Sequence, residues 1–155
     1  MMRNLRIAFT VVSLSALLLS CGGPRIATMD DFTTRDVTLP DGRVIKAELA
    51  VDPQMMARGL MYRDSLAPDH GMLFMHDRPG RYQYWMHNCK ISLDIIWMDP
   101  GHRIVEISAN TPPCTAAVET ECPTYGGHAD AQYVLELANG QAAKNGLRDG
   151  ETISF

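Results

Sequence analysis

Two acidic residues lie inside apolar segments that have the two-residue period of a β-strand, and they are the first candidates for chemistry. Asp94 falls in residues 91–98 and Glu136 in residues 133–137, each on a strand face that it shares with aliphatic side chains. A carboxylate in such surroundings needs a partner or a wet cavity, because burying a bare charge costs much free energy. Each acid is therefore predicted to lie in an ion pair or at the edge of a cleft.

The segment Trp85-Met86-His87-Asn88 is the second candidate. If it is a strand, Trp85, His87 and Cys89 share one face. Trp85 and His87, beside an arginine, could then bind a sugar, a peptide or a carboxylate. The same residue types are also typical of a core tryptophan beside a hydrogen-bonded histidine, with an asparagine that fixes a turn. Both interpretations stay open at the level of sequence.

Metal binding and nucleophilic catalysis have little support. His87 and Cys89 would share a strand face, and His70, His76 and His128 could join them from loops, but the spacings of common zinc motifs are absent. The sequence also lacks Gly-x-Ser-x-Gly, and its glycine-rich turns do not match a phosphate-binding loop. The sequence therefore predicts neither a metal site nor a cofactor.

Turn signals and hydrophobic alternation divide the chain into short elements. A Pro-Asp-Gly turn at residues 40–42 predicts a hairpin of residues 36–39 and 43–51, and Asp52-Pro53 predicts the start of a helix that ends near Met61. Further strands are predicted over residues 72–75, 81–88, 91–98, 103–108, 132–138 and 151–155, a second helix over 141–145, and loops over the rest of 70–80 and over 110–129. The predicted fold class is mostly β, an antiparallel sandwich or barrel-like domain with two short helices.

The first twenty residues have the features of a signal peptide. Arg3 and Arg6 precede an apolar run from Ile7 to Leu19 that is too short to span a bilayer as a mature helix. The run ends in Leu18-Leu19-Ser20-Cys21, which resembles the bacterial lipobox. That resemblance implies cleavage before Cys21 and attachment of a diacylglycerol to its sulfur, whereas the alternative is an ordinary signal peptide with a chance cysteine.

This leader sets the expected location and domain plan. Residue 22 is Gly rather than Asp, which by resemblance to bacterial sorting rules favours the periplasmic face of the outer membrane. Residues 21–31 are predicted to be a lipidated cysteine and a tether, and residues 32–155 a single globular domain. The predicted partner is therefore a membrane, reached through the lipid anchor.

The net charge excludes some classes of partner, and the positions of the remaining cysteines predict a disulfide and a free thiol. Without the two leader arginines the chain has 12 basic and 18 acidic residues, a net charge of −6, which argues against nucleic acid and anionic lipid as partners. Cys114 and Cys122 flank seven residues of a proline-rich loop and are predicted to form a disulfide in an oxidising compartment. Cys89 is left over and is predicted to be a buried thiol.

Six short motifs in a fixed order resemble one family. They are Arg58-Gly59-Leu60-Met61-Tyr62-Arg63, Gly71-Met72-Leu73-Phe74, Trp85-Met86-His87-Asn88, Leu93-Asp94, Tyr133-Val134-Leu135-Glu136-Leu137 and the closing glycine-rich turn of residues 146–150. In this order they resemble the domain of unknown function 192, from about Val44 to the end. The resemblance implies a mostly-β, sandwich-like fold and implies no activity.

The family motif also supplies candidate partners for the two acids, namely Arg58 and Arg63. The resulting hypothesis is a polar cluster of Asp94, Glu136 and one or both arginines at the edge of a cleft. Three interpretations remain open: a structural salt bridge that pins the helix to the sheet, a ligand-binding cluster, and a pair used for acid–base catalysis.

The function predicted first is a cell-envelope binding or interaction module. Its cleft would bind a small ligand or a peptide and would be lined by Arg58, Arg63, Trp85, His87, Asn88, Asp94 and Glu136. The alternatives are an envelope hydrolase in which Asp94 or Glu136 is the general base with His87 nearby, and a structural lipoprotein without a ligand.

Overall fold

The computed structural model describes residues 33–155. The signal peptide, Cys21 and the tether predicted from the sequence lie outside the described residues. No helix in residues 33–155 has the length and apolar character needed to cross a bilayer.

A six-stranded sheet forms the centre of the domain, and its strand order is β1-β2-β3-β8-β5-β6. Two short strands, β4 and β7, pair in a second sheet. The strands span Thr34–Thr38 (β1), Val44–Ala50 (β2), His70–Gly80 (β3), Gln83–Trp85 (β4), Leu93–Met98 (β5), Ile104–Thr111 (β6), Thr124–Gly126 (β7) and Ala131–Ala138 (β8). The prediction of a mostly-β domain with two short helices is confirmed, and the described strands form an open sheet rather than a closed barrel.

One pair of neighbouring strands departs from the predicted antiparallel order. β2 and β3 are parallel, whereas the other pairs are antiparallel. Between them the chain passes through helix α1, Pro53–Arg58, and residues 59–69, which carry it back to the same end of the sheet. A parallel pair requires such a crossover, because a tight turn can only reverse the chain.

Helix α1 begins and ends with local signals that the sequence contains. The Asp52 side chain accepts hydrogen bonds from the amides of Gln54 and Met55, both at 2.9 Å, and Pro53 occupies the first turn. The helix ends at Gly59, whose φ of 47° lies in the left-handed region, so it is shorter than the predicted span to Met61. The second helix, α2, spans Gln141–Lys144 and is followed by Gly146 at positive φ.

Several predicted boundaries are wrong because tertiary pairing decides them. β3 includes all of residues 70–80, since it pairs with both β2 and β8, and β7 forms inside the predicted 110–129 loop by pairing with β4. The predicted strand over 81–88 is only Gln83–Trp85, because a turn follows it. The predicted last strand is reduced to isolated bridges at Thr152 and Ser154. The predicted disulfide between Cys114 and Cys122 is confirmed.

Alternation along the central strands gives the main sheet an apolar layer on each face. Ile96 and Met98 of β5 belong to one buried cluster, and Ile95 and Trp97 belong to the other. The small β4–β7 sheet lies over the second cluster, where a Cβ atom at Gly126 would come within 2.2 Å of the Trp97 ring. This second face also carries the candidate site.

Candidate functional site

A cavity of about 290 Å³ opens on the second face of the main sheet. Its walls come from α1 and the residues directly after it, from β3, from the β4 region and from β8. The lining residues are Met56, Ala57, Arg58, Gly59, Leu60, Met61, Phe74, His76, Tyr82, Gln83, Tyr84, Trp85, Cys89 and Glu136. Most of these side chains are apolar or aromatic, which is typical of sites for small organic ligands.

Glu136 is the acidic residue among the lining residues. It lies on β8 between Met72 of β3 and Ile95 of β5, and it is only 5% exposed. Its carboxyl group makes no hydrogen bond or salt bridge with any residue in 33–155. No fully buried side-chain nitrogen or oxygen atom of these residues lacks a hydrogen-bond partner, so the unpartnered Glu136 oxygens must remain accessible from the cavity.

The backbone of Gly59 passes close to this carboxyl group and to the Phe74 ring. Gly59 follows α1 at positive φ, and a Cβ atom there would lie 4.0 Å from Glu136 Oε2 and 3.3 Å from the Phe74 ring. Burial raises the pKa of Glu136 to about 8, against the opposing effect of the positive charge of Arg63. Glu136 is therefore mostly protonated at neutral pH.

The two tyrosine hydroxyl groups in the aromatic wall of the cavity are already hydrogen-bonded. The Tyr84 hydroxyl and His76 Nε2 are hydrogen-bonded at 3.1 Å, and the Tyr82 hydroxyl donates to the Arg78 carbonyl at 2.8 Å. The Tyr82 ring stacks on His76 with centroids 3.5 Å apart, and the Tyr84 ring meets Phe74 edge-on at 5.1 Å. These residues therefore present ring surfaces to the cavity and few free hydrogen-bond donors.

A family model described as "uncharacterized ACR", the domain of unknown function 192 (DUF192), matches residues 36–155. The chain belongs to this family. The resemblance seen in the six sequence motifs is thereby confirmed, and the match includes the whole cavity. No curated protein matches the chain.

Two solved structures are similar to this DUF192 chain over most of their length. A protein of unknown function from Novosphingobium aromaticivorans has a TM-score of 0.73 at 27% identity, with 92% of this chain and 100% of the other covered. A protein from Sinorhizobium meliloti, provisionally described as a transcription regulator, has a TM-score of 0.70 at 31% identity, with 79% of this chain and 94% of the other covered.

The predicted cluster of Asp94 with Glu136 is wrong. In the DUF192 sheet Ile95 pairs with Glu136 and Asp94 pairs with Leu137, so the two acids project from opposite faces. Asp94 Oδ1 accepts from the Asn110 amide at 2.8 Å, and its Oδ2 accepts from the Ala142 amide at 2.7 Å. Asp94 therefore ties the end of β6 and the start of α2 to the sheet, on the side away from the cavity.

The two arginines have different surroundings. Arg63 makes a two-pronged salt bridge to Glu48 on β2, with N–O distances of 2.5 and 2.6 Å, and Glu48 is fully buried. Arg58 is half-buried, lines the cavity and makes no ion pair with a described residue. Sequence analysis missed Glu48, because the exposed Lys46 on the same strand face hides the apolar pattern that would reveal it.

The Trp85-Met86-His87-Asn88 segment is divided between the cavity and a turn. Trp85 lines the cavity and is 37% exposed. His87 and Asn88 are absent from the lining residues: His87 Nδ1 lies 3.2 Å from Asn88 Nδ2, and the Asn88 carbonyl accepts from the Tyr62 amide at 2.8 Å. Of the seven predicted site residues, the cavity brings together Arg58, Trp85 and Glu136, and their binding role stays a prediction.

Cys89 is a free thiol that also lines the cavity. Burial, and then the negative charge of Glu136, raise its pKa to about 12. The thiol therefore stays protonated at neutral pH, which makes it a weak nucleophile. A protonated Glu136 can likewise donate a proton or a hydrogen bond but cannot act as a general base in that state.

The described residues hold no group of three or more His, Cys, Asp or Glu side chains placed to bind a metal ion.

The tyrosines of the cavity were not singled out by sequence analysis. Tyr82 and Tyr84 are two residues apart, as expected for side chains on one face of a strand. Only the pairing of β4 with β7 brings that face over the main sheet.

Proposed function

We propose that this DUF192 domain binds a small organic ligand in the Glu136 cavity, and that it does so as a lipid-anchored protein of the cell envelope. The observation that carries the proposal is the Glu136 carboxyl group, which is buried, reaches the cavity and has no partner within residues 33–155. The other two buried acids of this part of the chain are paired, Glu48 with Arg63 and Asp94 with two amides. An unpaired buried acid in a cleft is typical of a functional site.

The size and lining of the cavity support a small ligand. A volume of about 290 Å³ is near the lower end of the range of roughly 300–1,000 Å³ that ligand pockets occupy. A single small molecule or the end of a longer one fits this volume, and a polymer chain does not. Apolar walls with a single buried acid would give affinity through burial and orientation through the carboxyl group.

The leader and the disulfide support the envelope location. The lipobox-like sequence that ends at Cys21 implies export and lipid attachment. The bond between Cys114 and Cys122 persists in an oxidising compartment such as the periplasm, whereas cytosolic reductants keep most thiols reduced.

Binding can be tested by recording NMR chemical shifts of the full-length chain against a library of small neutral, cationic and anionic fragments. We expect hits that shift the Trp85 indole and the Gly59 amide signals, because both residues line the cavity. Ala57→Trp should suppress these hits by filling the cavity from α1. Ala143→Trp is the matched control, since Ala143 is an exposed alanine on α2.

Two results would contradict the proposed binding function. One is a library in which no fragment shifts the cavity residues. The other is a set of hits that bind Ala57→Trp as well as they bind the Ala143→Trp control. Either result would favour a structural lipoprotein without a ligand.

The location can be tested by expressing the full chain and its Cys21→Ser variant in a Gram-negative host. We expect the parent chain in the outer-membrane fraction and the variant in a soluble fraction, because the variant has no thiol for lipid attachment. Recovery of both chains in the same fraction would contradict the proposed anchor and leave the cavity proposal untouched.

A further inference from the structure

We propose that the ligand of this cavity carries an organic ammonium group, which lies against the aromatic walls and forms an ion pair with Glu136. This inference rests on the proposed binding function and specifies the chemistry of its ligand.

The two tyrosine hydroxyl groups of the cavity wall are already hydrogen-bonded. The Tyr84 hydroxyl is engaged with His76, and the Tyr82 hydroxyl with the Arg78 carbonyl. Glu136 remains as a buried polar group without a partner in residues 33–155. A ligand that enters this space therefore meets ring surfaces and the buried carboxyl group, with the more accessible Arg58 and Gln83 also in the lining.

Ring surfaces and a carboxyl group together favour a weakly hydrated cation. Aromatic faces attract cations through their quadrupole, and the attraction is larger when the cation is desolvated. The cavity offers the rings of Phe74, Tyr82, Tyr84 and Trp85, with Phe74 and Tyr84 meeting at nearly right angles. An alkylated ammonium loses little hydration on entry and would supply the charge that Glu136 lacks.

The other ionisable groups near Glu136 leave room for this pairing. Arg63 is held by Glu48, so the pair has little net charge. Burial lowers the pKa of His76 and raises those of Tyr84 and Cys89, so all three are uncharged at neutral pH. Arg58 opposes a cation, but its side chain is partly exposed and solvent screens its charge.

Binding of the cation requires Glu136 to ionise, and its proton passes to the buffer. Because burial holds the pKa of Glu136 at about 8, the free protein is mostly protonated at pH 7. Affinity for a cation should therefore rise with pH as the ionised form becomes populated, by about 100-fold between pH 6 and pH 9.

Choline and neopentylcarbinol provide a matched pair of probes, because they have the same shape and differ by a carbon atom in place of the ammonium nitrogen. Isothermal titration of the full chain at pH 8 should give choline an affinity about tenfold higher or more. Titrations at pH 7 in buffers of different ionisation enthalpy should report the release of about one proton per choline bound. Glu136→Gln should remove both the preference for choline and the proton release, yet still bind neopentylcarbinol.

Equal affinity for the two probes without proton release would overturn the inference, as would unchanged choline binding by Glu136→Gln. If neopentylcarbinol shifts the cavity residues and choline is not preferred, the ammonium inference fails and the proposed binding function stands. If no fragment of any charge shifts these residues, the proposed function fails as well.

Discussion

Replacing Glu136 by glutamine is expected to stabilise the protein more at high pH than at low pH. Between pH 5 and pH 9, the free energy of unfolding of the variant should rise by about 4 kcal/mol relative to that of the parent chain. Glutamine keeps the shape of the protonated glutamate but cannot ionise inside the cavity. Urea-induced unfolding, followed by tryptophan fluorescence at several pH values, would measure the effect.

The sign follows from proton binding in the two states. Burial raises the pKa of Glu136 from 4.5 in the unfolded chain to about 8 in the folded protein. Between these values the folded state keeps a proton that the unfolded state has released. The contribution of Glu136 is therefore fully present below pH 4.5 and is lost as the pH rises towards 8.

Glu121→Gln is the control for this experiment, since Glu121 is an exposed glutamate. We expect it to follow the parent chain at every pH. Parallel stability curves for the parent chain and Glu136→Gln between pH 5 and pH 9 would mean that the carboxyl group is not held in its protonated form. The electrostatic argument for the cavity would then be lost.

Replacing Arg63 by methionine is expected to lower the free energy of unfolding by about 3–5 kcal/mol. The change leaves the carboxylate of Glu48, which is fully buried, without its two-pronged partner. It also removes the positive charge that holds down the pKa of Glu136, so that pKa should rise further. Denaturant unfolding at pH 7 would measure the loss.

Lys90→Met is the control, because Lys90 pairs with Asp64 at 2.8 Å on the surface, where both side chains are at least half exposed. An exposed pair of this kind contributes about 0–1 kcal/mol. Adding Glu48→Leu to Arg63→Met should recover much of the stability, since the buried charge is then gone. A loss no larger for Arg63→Met than for Lys90→Met would show that the buried pair is not important for folding.

These two predictions concern two buried glutamates on the same sheet face, whose negative charge is avoided in different ways. Glu48 and Glu136 both pair across the sheet with Met72 of β3, so they occupy one row of side chains. Glu48 is neutralised by Arg63, whereas Glu136 keeps its proton and reaches the cavity. A buried acid that reduces stability at neutral pH, where glutamine would keep the same shape, supports the proposed binding function.

Local signals in the sequence predict much of the secondary structure. The Pro-Asp-Gly turn at residues 40–42 specifies the first hairpin, and Asp52 with Pro53 specifies the start of α1. Alternation correctly places Asp94 and Glu136 among apolar neighbours, and the positions of Cys114 and Cys122 correctly predict their disulfide. Each of these features depends on residues close together in the chain.

What the sequence by itself determined is therefore the mostly-β class, the family, the disulfide and the fact that Glu136 lies on a buried strand face. Only the tertiary structure decided that Asp94 and Glu136 point in opposite directions, because that depends on the pairing of β5 with β8. Likewise, the pairing of β4 with β7 places the tyrosines over Glu136, and Arg63 reaches Glu48 rather than either predicted acid. Alternation along one strand shows which residues share a face of that strand. Only the long-range pairing of strands decides which of these faces lie on the same side of the sheet.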